Sequence, residues 1–147
     1  MKKRMGKMMR GKIAGALLLC VLGSAIALAE DANPITVTPI IVTDTTASGQ
    51  PIVLPQGDVA LTAATYDIAA GAALPEHKHP YPRYAYVVAG TIAVANLETG
   101  KTVTYHPGDV IVEAVDQWHK GTNVGTDAVK LIVYDFAPKG AANVVKK

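Results

Sequence analysis

From Ile35 onward the chain alternates short runs of β-branched and aliphatic residues with clusters of turn residues. The runs fall at 35–43, 51–54, 59–68, 83–89, 91–96, 102–105, 110–113 and 128–136. They are separated by Ala47-Ser48-Gly49, Gln56-Gly57-Asp58, Ala70-Gly71, Gly90, Glu98-Thr99-Gly100, Pro107-Gly108-Asp109 and Asn123-Val124-Gly125. Turn signals at this spacing between extended runs predict an all-β sandwich or barrel. No segment after residue 29 carries a helical period. Glu98-Thr99-Gly100 reads as the turn of a hairpin, with Gly100 at a position that needs positive φ.

The first 29 residues follow a different pattern. A basic stretch leads into the uncharged apolar run 13–28, IAGALLLCVLGSAIAL, and then Ala27-Leu28-Ala29. This order predicts a signal peptide cleaved after Ala29, hence a periplasmic or secreted protein. The competing assignment is an uncleaved anchor, because residues 13–29 just reach the length that spans a bilayer. Glu30, Asp31 and Pro34 directly after the small residues favour cleavage. Cys20 is preceded by Leu19 where a lipoprotein site needs a small residue, and cleavage leaves a mature chain without cysteine. Disulfides and thiolate chemistry are thereby excluded from the mature protein. The expected division is a signal peptide at 1–29, a leader with the first strands at 30–57, a barrel at 58–136 and a loose tail at 137–147.

Removing the signal reverses the charge. Six of the 14 basic residues lie in it and none of the 12 acidic ones, so eight face twelve afterwards, a net of −4. A net-acidic domain offers no electrostatic case for nucleic acid or anionic lipid. The partners left are a small-molecule ligand and a second copy of the chain, a homodimer. One Trp and one Phe predict a core that is mostly aliphatic.

Three of the four histidines form a pattern. In His77-Lys78-His79 the two imidazoles are two residues apart, so on a strand both face the same side. His119 lies 40 residues further on and can reach the same point from across a barrel. Around them, Gly71, His77, His79 and Gly90 follow G-x5-H-x-H-x3,4-E-x6-G except at the acid. Gly108, His119 and Asn123 follow G-x5-P-x-G-x2-H-x3-N with two departures. On these motifs the chain resembles the cupin superfamily over about residues 59–136. The resemblance implies a single double-sheet jelly roll, RmlC-like, holding one divalent metal inside one end on His77, His79 and His119. Imidazole suits Fe, Zn, Cu and Ni, and with Mn these remain the candidate metals.

The departures bear on chemistry. Ala114 and Asp116 stand where the family has Pro and Gly, which touches only the loop. Arg83 stands where the family usually has its glutamate ligand. At about 6 Å and an effective dielectric near 20, an Arg repels a divalent ion by about 5.5 kcal/mol. Arg83 must therefore pair with an acid, Glu76 or Asp116 being near in sequence, or hold an anionic ligand beside the metal. A surface salt bridge at the barrel mouth is the plain alternative. Gln117 shares strand parity with His119, as a group behind the ligand or a plain edge residue. Tyr84 and Tyr86 read as core or interface, Trp118 as packing, His106 as a surface turn residue and Asn123 as a turn brace. Three functions fit this ligand set: a metal-dependent enzyme, dioxygenase-like or an isomerase or lyase, acting on a small anionic molecule; a non-catalytic metal or ligand binder; and a barrel in which Arg83 has replaced the metal. No general base other than the histidines stands out.

Overall fold

A computed structural model describes residues 35–147. The signal segment, its cleavage site after Ala29 and the leader up to Pro34 lie outside the described residues. Residues 37–147 form one compact unit. Among the described residues it is built from nine strands and no helix: β1 (Val59–Ile68), β2 (His77–Lys78), β3 (Arg83–Ala89), β4 (Ile92–Asn96), β5 (Thr102–Tyr105), β6 (Val110–Val112), β7 (His119–Asn123), β8 (Val129–Pro138) and β9 (Val145–Lys146). They make two antiparallel sheets in the orders β1-β8-β3-β6 and β5-β4-β7-β2-β9. This is the all-β architecture that the run spacing predicts, in the double-sheet jelly-roll form that the resemblance implies. No helix among the described residues is long and apolar enough to cross a membrane.

Alternation along the strands builds the core. In β3 the buried positions are Arg83, Ala85 and Val87, and in β8 they include Val129, Leu131 and Val133, each separated by a more exposed residue. Together with Ile68, Ile92 and Ile111 these aliphatics close the space between the sheets. Tyr66 and Tyr105 only flank them, so the core is aliphatic as composition predicts. Tyr84 and Tyr86 take the opposite parity from Arg83 and Ala85, so they sit half-buried on the outer side; Tyr84 packs edge-on against Phe136 at 5.9 Å.

Two turns show why their glycines are needed. Gly100 has φ 70° and closes the β4–β5 hairpin through its N–H to the Asn96 carbonyl at 3.0 Å. Gly90 combines φ 78° with a close approach, since a Cβ there would lie 2.7 Å from the Ala128 carbonyl oxygen. Asp116 adopts φ 53° without being glycine, at the position where the family pattern carries one.

Two expectations are corrected. The run 35–43 forms no strand, and the run 51–54 contributes only the isolated bridge of Pro51 to Thr45. β-propensity expresses how well side chains fit a pleated, half-buried surface, and composition by itself does not place these runs in a sheet. Instead, 44–52 folds as a turn docked beside β6: the Ala47 N–H donates to the Val112 carbonyl at 2.8 Å, and the Gln50 side chain bonds both backbone groups of Val115. The tail at 137–147 is not loose either. It begins inside β8, and β9 pairs with β2, placing Lys146 opposite His77 and Val145 opposite Lys78.

Candidate metal centre

At one end of the barrel the inward positions change from aliphatic to polar while keeping the same parity. Going along each strand, Val87 and Ala85 are followed by Arg83, Leu131 and Val133 by Asp135, and Ile111 by Glu113, while in β7 His119 shares its inward parity with Gly121 and the buried, polar Asn123. Register then brings the ligand candidates together. His77 pairs directly with His119 across β2 and β7, and His79, just past β2, bridges to Val115. The three rings lie with centroids 4.5–5.0 Å apart. One donor atom from each of His77, His79, Glu113 and His119 lies within 4.8 Å of all the others. The predicted convergence of the histidines is therefore present, with a carboxylate added.

Each ring is oriented by a backbone carbonyl. Nδ1 of His77 donates to Pro75 O at 2.7 Å, that of His79 to Asn143 O at 2.6 Å, and that of His119 to Gln117 O at 2.8 Å. A proton held on Nδ1 leaves the Nε2 lone pair free, the arrangement that metal-ligating histidines use. Nε2 of His79 and of His119 are buried and make no hydrogen bond. Glu113 Oε2 lies 3.1 and 2.8 Å from them, short enough for hydrogen bonds but not aligned for them. Buried polar atoms without partners cost free energy. Buried lone pairs turned on a carboxylate call for a cation in their midst.

The electrostatics say the same. Burial pushes the Glu113 carboxyl up, but His119 and His79 outweigh it and hold it far below the usual carboxylate range. Burial likewise acts to lower His119, and contact with Glu113, helped by the Gln117 carbonyl, raises it above the ordinary 6.5. His77, further from Glu113 in effect, is lowered by burial and by its two histidine neighbours. The pocket thus favours one positive charge beside Glu113, a demand that a divalent ion meets more fully than a proton. The N3O donor set fits a first-row divalent metal.

Residues 64–135 match the cupin domain family. The chain belongs to the cupin superfamily. Among solved structures it is similar to the polyketide cyclase RemF from Streptomyces resistomycificus, with TM-score 0.51 and 17% identity over 61% of each chain. The cupin domain of Schizosaccharomyces pombe Cnp3 matches with TM-score 0.50 and 20% identity, covering 58% of this chain and 61% of that one. A DMSP lyase structure matches with TM-score 0.50 and 14% identity, over 59% of this chain and 44% of that one. This chain thus spans about three fifths of the length of the first two and less than half of the third. At these identities the likeness is one of fold alone. A comparison with curated protein sequences finds no match.

Placed against the cupin pattern, Glu113 resolves the missing acid. It leaves β6 beside Arg83, its N–H donating to the Arg83 carbonyl at 3.0 Å, so the carboxylate arrives from the neighbouring strand. Its signal in the sequence was an acid ending the run 110–113 with the parity of buried Ile111. The three-histidine ligand set expected from the sequence is thereby extended by Glu113, whose carboxylate offsets part of the charge that three neutral histidines leave on a divalent ion.

Arg83 does turn aside to an acid, but to Asp135 rather than Glu76 or Asp116. The fork is bidentate, Nε to Oδ1 and Nη2 to Oδ2, both 2.7 Å. At 5% exposure Arg83 is no surface salt bridge. Glu76 pairs instead with Lys147, and Asp116 with Lys78. Gln117 acts behind His119 through its backbone carbonyl, while its side-chain oxygen accepts from Asn96 Nδ2 at 2.7 Å. His106 is exposed as expected. Asn123, 1% exposed, braces its turn through Ile68 O, Asp127 O and the Gly125 N–H.

Proposed function

We propose that this protein is an exported mononuclear-metal cupin enzyme acting on a small anionic molecule. The observation that carries the metal is the pair of buried, unpartnered Nε2 atoms facing Glu113. His77, His79, His119 and Glu113 would hold the ion, and Glu113 cancels one unit of its charge. A bound ion supplies Lewis acidity toward a substrate oxygen and, if redox-active, one-electron chemistry.

The chain's own groups shape what can approach. A cleft of about 200 Å³ opens beside His77, walled by Tyr66, Leu74, Arg83, Val144 and Lys146 among others. Arg83 spends Nε and Nη2 on Asp135, while Nη1 has only a 3.5 Å contact with the Tyr66 hydroxyl. Nη1 and Lys146 can therefore take a carboxylate, and Leu74 and Val144 a short apolar body. Export rests on the sequence of residues 1–29.

A non-catalytic metal binder is favoured by one observation: the site gathers four protein donors, the number that would fill a tetrahedral shell and leave no open position, as in structural zinc sites. A six-coordinate ion would keep two positions free. The deciding experiment is elemental analysis of protein purified from a periplasm, with X-ray absorption to count ligands, followed by oxygen-uptake and carboxylate-turnover screens. One redox-active or six-coordinate ion per chain with turnover supports the enzyme. Closed four-coordinate zinc without turnover supports the binder, and protein that takes up no metal overturns both.

A further inference from the structure

The segment 139–147 makes several polar contacts around the site. Asn143 is the centre of them. Its carbonyl receives the Nδ1–H of His79 at 2.6 Å. Its side-chain oxygen accepts the Tyr81 N–H at 2.8 Å, and its Nδ2 donates to Asp135 Oδ1 at 2.6 Å. That same Asp135 oxygen receives Arg83 Nε. Asn143 is itself buried, at 8% exposure.

The residues after it clamp the other side of the His77-Lys78-His79 stretch. β9 adds to β2, the Lys147 N–H donates to Glu76 O at 3.1 Å, and Lys147 Nζ pairs with Glu76 at 3.0 Å while lying 6.0 Å from the Trp118 ring. Val144 and Lys146 then form part of the cleft wall beside His77.

Of the three carbonyls that orient the histidines, Pro75 and Gln117 each lie two residues from the ring they serve; only Asn143 comes from 64 residues away. His77 and His119 are thus oriented by their own loops. His79 has no such local partner, and its orientation depends on a strap that must first dock.

We propose that Asn143 is a positioning residue, and that the strap 139–147 switches His79 into its ligating orientation as it docks, tying that histidine to the Arg83–Asp135 pair. This rests on the metal reading above for its consequence but not for its geometry. Docked, the strap presents His79 Nε2 to Glu113 and completes the cleft wall. Undocked, His79 loses its Nδ1 acceptor, Asp135 loses its second donor, and the cleft opens on the β9 side.

The test uses the full chain. In nitrogen-15 histidine spectra of metal-free wild type, all three rings should carry a proton on Nδ1, with a slowly exchanging His79 Nδ1–H. Asn143→Ala keeps the backbone carbonyl but removes the side-chain bonds to Tyr81 and Asp135 that hold it in place. It should therefore lose that one resonance while His77 and His119 keep theirs, and zinc or manganese affinity should drop about 10- to 100-fold, as for other groups behind a ligand. Asn143→Asp keeps the acceptor for Tyr81 but faces Asp135 with a like charge, and should give the same selective loss. A general weakening of the fold would move all three histidines together and would overturn the proposal. So would a His79 Nδ1–H that exchanges freely in wild type, a measurement that needs no variant to fold. If wild type binds neither metal, the metal reading fails, while the spectra still decide the strap.

Discussion

The two ends of this barrel are made from the same strands with the same alternation, and they are chemically opposite. At one end Val87, Ile92, Val129 and Leu131 fill the space between sheets with side chains that need only volume. At the other end the continuing inward positions are Arg83, Glu113, His119 and Asp135, each useful only with a partner at a stated angle and distance. The aliphatic end tolerates imprecision because dispersion and burial are non-directional. The polar end is affordable only because every buried polar group there but the metal-facing atoms is paired. Stability and function are therefore segregated along the barrel axis, and substitutions should separate them.

The sharpest separation comes from the ligands. His119→Ala and Glu113→Ala should each abolish stoichiometric metal, a larger loss than the 10- to 100-fold expected from removing a group behind a ligand. The β-rich circular dichroism spectrum should remain. Titration calorimetry together with that spectrum checks it, and unfolding in step with metal loss would make the site structural.

Arg83→Ala should blur the comparison, because it strikes the polar end through stability. It leaves Asp135, with only 14% of its side chain exposed, as an uncompensated charge. The expected cost is about 3–5 kcal/mol in urea unfolding. A loss below about 1 kcal/mol would mean that the pair behaves like an exposed one. For the same reason Arg83→Glu should not create a better metal site: it would set two carboxylates face to face.

Leu131→Ala acts at the aliphatic end. It should cost about 2–5 kcal/mol by leaving a cavity, while the protein that remains folded keeps its full metal content. Metal loss per folded molecule would show the two ends to be mechanically coupled.

The smallest effect is that of pH. A ligand histidine must be neutral, so protons compete with metal. Burial works to lower His119, yet Glu113 and the Gln117 carbonyl hold it above 6.5. Metal affinity should thus start to fall above pH 6.5 as the solution is acidified, and Glu113, held ionised by His119 and His79 against its burial, adds nothing to that fall. Calorimetric affinities across the neutral range check the sign, and a flat profile would contradict it.

Sequence alone determined the all-β class, the hairpin at Gly100 and the three histidines, because each rests on a local rule. Strand period places His77 and His79 on one side, a tight turn demands positive φ, and motif spacing puts His119 on a later strand. Tertiary structure alone decided the rest. Glu113 enters the site because β6 pairs beside β3, and Arg83 meets Asp135 across 52 residues because of the β3–β8 register. Asn143 reaches His79 across 64 residues because β9 adds to β2. Residues 35–43 have the composition of a strand and form none. Parity is written in a strand's own residues, but which inward positions meet depends on pairing with distant strands, and no local pattern encodes that pairing.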